Sequence, residues 1–322
     1  MNFPIDLVYL WCDSNDPEWS VRKAQYDTCK PQVEDEAGEC RYFSNDELRY
    51  SLRSICKNAP WIHHIFIVTD RQRPNWLNTS DERISIVDHS DIIPQEFLPI
   101  FNSSVIESWI FRIPGLSEHF LYANDDMFIA QSVEPTFFFD DKEGRPIVRL
   151  KHQKLGPGRG GYQDRVRHMQ ELIEKDFHVR YPLAPHHNID SYSRSLFEEC
   201  LNRRYHEQLI KSSSFRFRSP DCLHRSIVGY YMLATGGATL RKNSRYAECK
   251  SLMERIKCLF SGHYKATSRC LPLCLPDYQR VIQKYNPILF ALNDDSRTTR
   301  EDRIREHNFM EQLFPTPSPF EL

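Results

Sequence analysis

Short apolar runs alternate with amphipathic stretches through the first half of the chain. Residues 5–12 (IDLVYLWC) form a β-rich run closed by a polar turn, DSNDP. Ser44-Asn45-Asp46-Glu47 has capping-box spacing, and Leu48, Leu52 and Ile55 follow at helical intervals. This pattern predicts a helix that stops near Asn58-Ala59-Pro60. Residues 63–70 (HHIFIVTD) and 83–88 (RISIVD) predict two further strands. Ser103 or Ser104 can cap a helix through Ile110, ended by Pro114-Gly115, and residues 119–125 (HFLYAND) predict a fourth strand.

Strands that alternate with helices indicate the α/β class, with a mostly parallel sheet flanked by helices. In such sheets ligands bind beyond the carboxyl ends of the strands. Cys12-Asp13, Thr69-Asp70 and Asn124-Asp125-Asp126 all fall at such ends. The second half is less regular. Residues 154–165 (KLGPGRGGYQDR) lack the strand–loop–helix setting of a dinucleotide fingerprint. They read as a surface or lid loop, with phosphate contact through Arg159 as the lesser alternative. Residues 164–213 are polar and read as helical, residues 227–237 as a buried helix stopped by glycines, and 241–283 as a basic stretch without a clear period. The expected organisation is one domain over 1–322. It comprises an α/β core (1–152), a mainly helical insertion (153–285) and a C-terminal segment (286–322) that returns to the core.

Composition narrows the function without naming it. The chain has 322 residues, 40% apolar, 27% charged and 12% aromatic, as in an ordinary globular protein. A net charge of −2 makes no electrostatic case for nucleic acid. No run approaches the ~20 apolar residues that span a membrane. The N-terminal stretch reads as a strand and not as a signal peptide, so a cytoplasmic location is expected. The ten cysteines then read as reduced thiols, and the close pair Cys270 and Cys274 has no second pair to complete a metal site.

The chemistry is concentrated in a few places. Asn124-Asp125-Asp126 sets two carboxylates against a strand, and Asn293-Asp294-Asp295 repeats the tripeptide after another apolar run. Buried carboxylates are costly, so such a pair is either a solvated turn or a site. Adjacent acids suit Mg²⁺, which takes one or two carboxylates, waters and substrate phosphate oxygens. Arg49, Arg53, Arg112, Arg216 and Arg218 offer forks that pair with phosphate, the bland alternative being surface ion pairs. That alternative is favoured for Arg53. Acids and arginines in one cleft point to metal-assisted chemistry on a phosphorylated substrate. His186-His187 offers imidazole for proton transfer, although histidine pairs are more often structural. Glu107, beside Ile106 and Trp109, is either an arginine's core partner or a ligand-facing acid.

Four blocks of this sequence resemble the Stealth family of capsular polysaccharide sugar-1-phosphate transferases, to which the catalytic subunit of the animal GlcNAc-1-phosphotransferase also belongs. They are IDLVYLWCDSNDP; the long run RYFSNDELRYSLRSICKNAPWIHHIFIVTDRQRPNWLN with ISIVDHSDIIP and LPIFNSSVIESWIFRIPGLSEHFLYANDDMFI; APHHNID with FRSPD and YYMLATGG; and LFALNDD with LFPTPSPFEL. The resemblance implies a nucleotide-sugar-transferase-like (GT-A/Rossmann-like) fold and Mg²⁺ or Mn²⁺ as cofactor. It implies transfer of a hexose or N-acetylhexosamine 1-phosphate from a UDP-sugar, such as UDP-GlcNAc, to a hydroxyl of an oligosaccharide or polysaccharide acceptor. A phosphodiester forms and UMP leaves, in capsule or cell-surface polysaccharide synthesis. The competing readings are a metal-dependent glycosyltransferase that releases UDP, and a non-catalytic carbohydrate-binding protein. The expected setting is a bacterial cytoplasmic enzyme with peripheral association at the cytoplasmic face of the inner membrane through a polymer or lipid-linked acceptor.

Carried over by motif, the catalytic candidates are Asp6, Glu107, Asp126, His186, His187 and Arg218, with Asp125 and Asp126 on the metal. The substrate-binding candidates are Arg49, Arg53, Asn102, Asn124, Arg216, Asp221, Asn293 and Asp294. Arg216 competes with Arg218 for the arginine of the third block. Leu183 stands where the family places a histidine, so His186 or His187 is expected to take its role.

Overall fold

The computed structural model describes residues 1–26, 38–151, 161–244, 252–260 and 267–322. Its strands are β1 (Ile5–Leu10), β2 (Ile65–Thr69), β3 (Ile84–Asp88), β4 (His119–Asn124), β5 (Met127–Ile129), β6 (Ile147–Lys151), β7 (Ala184–Pro185), β8 (Asp190–Ser193), β9 (Thr239–Lys242), β10 (Ser268–Pro272) and β11 (Leu289–Asn293). The main sheet has the order β3-β2-β1-β4-β8. The first four of these strands are parallel, and β8 closes the edge antiparallel to β4. The expected α/β class with a mostly parallel sheet is the architecture observed.

The central strands are largely apolar because both faces are covered. Ile5, Leu7, Tyr9, Ile65, Ile67, Leu121 and Ala123 pack into one layer. Leu48, Leu52 and Ile55 of the helix Glu47–Asn58 cover that layer, as their spacing predicts. Val8, Phe66, Val68, Phe120 and Tyr122 face the other layer, under the helices Gly161–Phe177 and Ser226–Ala234. A second sheet, β10-β11-β5, continues the first layer, and a third, β7-β6-β9, lies on the other side of the fold.

Several local expectations are revised. The expected capping box does not form. Asp46 is the N-cap, in the left-handed region at φ 64°, and the Glu47 carboxylate accepts the Asn45 N–H at 2.6 Å. Ser44 Oγ instead accepts from Trp11 Nε1 at 3.4 Å. The DSNDP run is more than a turn. Asp16 caps the helix Pro17–Ala24 by accepting the Glu18 and Trp19 N–H groups, with Pro17 in the first turn. Asn102, not Ser103 or Ser104, caps the helix Ser103–Glu107. The stretch 153–285 supplies β7 to β10 beside its helices. Arg159 lies outside the described residues. Among the described residues no helix is long and apolar enough to cross a membrane.

Candidate active site

Strands β1, β2 and β3 step outward in one direction, and the chain then returns to set β4 on the other side of β1. Loops that leave β1 and β4 at their carboxyl ends therefore diverge, and a crevice opens between them. A cleft of about 160 Å³ lies there. Part of its lining is polar, with Asn124, Asp125, Asp126, Asn293, Asp294, Arg41, Glu47 and Arg218. The rest is apolar and aromatic, with Trp11, Trp19, Tyr42, Phe101 and Ile106.

The two Asn-Asp-Asp tripeptides meet in this cleft. Asp125 and Asp126 form the turn where the chain leaves β4 of the main sheet for β5 of the second. Strand β5 pairs antiparallel with β11, Met127 opposite Ala291, and the Leu292 N–H donates to the Asp126 carbonyl at 3.2 Å. Extending that register sets Asn124-Asp125-Asp126 against Leu292-Asn293-Asp294. One oxygen of Asp294 accepts from Arg303 at 2.8 Å, while Asp294 Oδ1 and Asp126 Oδ1 are buried without a hydrogen-bond partner among the described residues.

The acids repel one another. Burial, with Asp294 adding to it against the pull of Arg41, pushes Asp126 up to about 7. Burial, reinforced by Asp126 and Asp294, pushes Glu47 up to about 7 as well. Burial, Glu47 and Asp126 raise Asp125 well above the usual carboxylate range. Such a cluster is stabilised by a cation placed among its oxygens. Facing it is positive charge. Arg218 is held against Ser103 Oγ at 2.7 Å, and burial together with Arg41 and Arg165 lowers its pKa. Guanidinium groups that weaken one another's charged state mark a place prepared for an anion.

Behind the cleft floor runs a chain of buried polar groups. The Tyr122 hydroxyl lies 2.7 Å from Asn124 Oδ1 and 3.1 Å from Glu107 Oε1. Arg225 Nε lies 3.4 Å from Glu107 Oε2, and its Nη1 pairs with Asp190. Asp190 meets His186 Nε2 at 3.0 Å, and His186 Nδ1 lies 2.9 Å from Ser268 Oγ. Glu107 is therefore a core partner for an arginine, one step behind the cleft wall. Burial raises its pKa despite Arg225 and Arg218. Both ring nitrogens of His186 are engaged, so its role is to hold Asp190. The ring of His187 has no hydrogen bond from a described residue and lies edge-on to Tyr162. Burial, then Arg225 and Lys151, depress His187 to about 3, so its imidazole is neutral.

Other expected site residues fall elsewhere. Asp6 sits at the amino end of β1, roughly four residues or ~13 Å along the strand from the cleft. Its oxygens meet His63 Nδ1 at 2.9 Å and the Ser117 N–H at 2.7 Å. Arg53 holds Glu321 through both carboxylate oxygens at 2.9 and 2.7 Å and the Phe314 carbonyl at 2.9 Å. Arg49 stacks over Trp76 and approaches Asp46 and Glu321. Both arginines clasp the C-terminal segment on the helix face turned from the cleft. Asn102 is fully buried, donating to the carbonyls of Phe215 and Phe217, so it positions the Arg218 segment without touching the cleft. Arg216 donates to the Pro99 carbonyl and covers Tyr26, and Arg112 donates to the Ile92 carbonyl. Asp221 is exposed. Strand direction and packing, invisible in motif spacing, exclude these residues from the cleft. Arg41, Glu47 and Arg225 were missed. The signal existed for Arg41, which opens the longest block, and for Arg225, in the LHRS stretch just before an apolar helix.

A family profile, Stealth protein CR2, conserved region 2, matches residues 41–147, the part that carries the cleft's β4 wall. An exopolysaccharide phosphotransferase of Lactiplantibacillus plantarum is 44% identical over 265 residues, which are 72% of this chain and 76% of that protein. The chain belongs to the Stealth family. An exopolysaccharide phosphotransferase of Streptomyces coelicolor is 35% identical over 346 residues, 100% of this chain and 53% of that protein, so the Stealth chain spans about half of that relative's length. The galactosyltransferase LgtC, crystallised with donor and acceptor sugar analogues, superposes with a TM-score of 0.47 at 9% identity, over 97% of this chain and 98% of its own.

The donor set suits the metal that the family implies. Among the described residues no three His, Cys, Asp or Glu side chains form a ready-made cage. Mg²⁺ and Mn²⁺ accept fewer protein ligands, one or two carboxylates completed by water and substrate phosphate. Asp126 and Asp294, each with a buried oxygen unpartnered among the described residues, could supply that set beside Asp125.

Proposed function

We propose that this Stealth chain transfers a sugar 1-phosphate from a UDP-sugar to a hydroxyl of a growing exopolysaccharide or capsular chain. The acceptor oxygen forms a bond to the β-phosphorus, the bond from that phosphorus to the UMP oxygen breaks, and the hydroxyl proton passes to a base. The observation that carries this reading is the meeting of Arg218 with the two Asn-Asp-Asp tripeptides at the sheet's switch point. A cleft with acids on one side and arginines on the other is complementary to a metal-bound pyrophosphate.

Mg²⁺ or Mn²⁺ held by Asp126 and Asp294 would supply charge neutralisation on the pyrophosphate. Arg218, anchored on Ser103, stabilises charge at the transferring phosphoryl group. Asn124 is oriented by Tyr122, and Tyr122 by Glu107 and Arg225, so Glu107 and Arg225 position the β4 end of the cleft. Of the two adjacent histidines only His187 has a ring not hydrogen-bonded to a described residue, so it is the candidate of the pair for the hydroxyl proton. Asp6, satisfied at the far end of the sheet, has no role in this chemistry.

The test is the identity of the released nucleotide. Purified protein with Mg²⁺, a panel of nucleotide sugars and acceptor oligosaccharide is expected to yield a nucleoside monophosphate. Release of UDP would overturn the reading in favour of an ordinary glycosyltransferase. Carbohydrate binding without any nucleotide release would leave a binding protein.

A further inference from the structure

The apolar part of the cleft lining takes no part in the phosphate chemistry above. Trp11 and Cys12 follow β1, Val68 lies in β2, and Trp19, Tyr42 and Phe101 complete the wall. The aromatic rings brace one another. Trp19 lies 5.4 Å from Tyr42 and meets Phe101 edge-on at 5.6 Å. A braced slot of this kind suits a flat heterocycle.

One polar side chain lines the slot from the sheet. His89 follows β3, is 7% exposed, and its Nδ1 is buried without a hydrogen-bond partner among the described residues. A buried, unpartnered ring nitrogen carries a desolvation cost that the edge of a bound ligand would offset. Strand β3 stands three strand spacings from β4, about 14 Å. His89 beyond β3 and the acids beyond β4 are thus separated as a base and a pyrophosphate are separated in one extended nucleotide, with Trp11 and Cys12, beyond β1, between them.

We infer that the aromatic slot takes the nucleobase of the donor and that His89 reads its hydrogen-bonding edge, making it a specificity-determining residue. The inference rests on the donor reading above and goes beyond it by assigning the base subsite.

Trp11 and Trp19 in the cleft wall provide the readout, as fluorescence quenching on titration with UDP, CDP, ADP, GDP and, as the base-free probe, inorganic pyrophosphate, all with Mg²⁺. In His89→Leu the affinity for the preferred nucleoside diphosphate is expected to fall about 10- to 100-fold, as for loss of one buried hydrogen bond. The ranking of bases should flatten while pyrophosphate affinity stays at the wild-type level, which also reports an intact fold. His89→Asn, whose amide places a polar atom where Nδ1 stands, should recover most of the loss. Wild-type affinity and ranking in His89→Leu would overturn the assignment alone. Equal weakening of pyrophosphate and nucleotides would also overturn it, by showing a structural role. A wild-type protein that binds pyrophosphate but no nucleotide would overturn the donor reading together with it.

Discussion

Two aspartates stand at opposite ends of the main sheet in contrasting surroundings. Asp6, almost wholly buried, spends both oxygens on His63 and the Ser117 N–H. Asp126, at the carboxyl end, has a buried oxygen with no partner among the described residues and is pushed up to about 7. The arginines repeat the contrast. Arg53 is locked onto Glu321, Glu311 and a carbonyl, whereas among the described residues Arg218 donates to the Ser103 hydroxyl and weakens beside other arginines. A satisfied buried charge belongs to the architecture. Buried charges set against like charges await a ligand of the opposite sign.

Substitutions can break or sharpen this comparison, and the largest effect is expected at Arg218. Arg218→Ala should lower kcat/KM for nucleotide release about 10²- to 10³-fold, as for a lost oxyanion-type donor, with little change in melting temperature. Next comes Asp126→Asn, expected to lose a similar or slightly smaller factor in activity. The metal-free variant should melt higher than the wild type, because a repelling charge is removed without a cavity. A lower melting temperature would show that Asp126 is a structural acid after all.

Effects on stability alone should follow. Arg53→Ala leaves Glu321 without its buried partner and should cost about 3 kcal/mol in denaturant unfolding, with the activity of the folded fraction retained. Asp6→Asn should cost about 1–3 kcal/mol by the same measurement. If Asp6→Asn abolished turnover in protein that melts normally, the far end of the sheet would have to be brought into the mechanism.

The smallest effect is one of pH. Asp126 and Glu47 have folded pKa values raised to about 7, from 3.8 and 4.5. Between those limits the folded state binds more protons than the unfolded chain, so stability rises as pH falls. Metal-free protein should melt several degrees higher at pH 6 than at pH 8. Added Mg²⁺ should stabilise more at pH 8, because metal and protons compete for the same carboxylates. Thermal melts at both pH values, with and without Mg²⁺, check the sign.

Much of the fold was legible because its signals are local. Strands β1 to β4 and the helices Glu47–Asn58 and Ser226–Ala234 announce themselves by run length and spacing. The caps were misread because Glu47 turns back on Asn45 and Asn102 outcompetes the two serines after it. Asp125, Asp126 and Arg218, which line the cleft, could be singled out by residue type and block. Arg49, Arg53 and Asp6 could not be excluded by the same means, since the groups that satisfy them lie far along the chain. The Arg53–Glu321 pair spans 268 positions.

By itself, the sequence determined the α/β alternation, the polar strand ends and the Stealth blocks, because hydrophobic period and motif content are properties of neighbouring residues. Tertiary structure alone decided which carboxylates are satisfied and which are left facing one another. The reason is physical. The register of β5 on β11 brings Asp126 and Asp294 together, and the reversal of strand order at β1 and β4 opens the space in front of them.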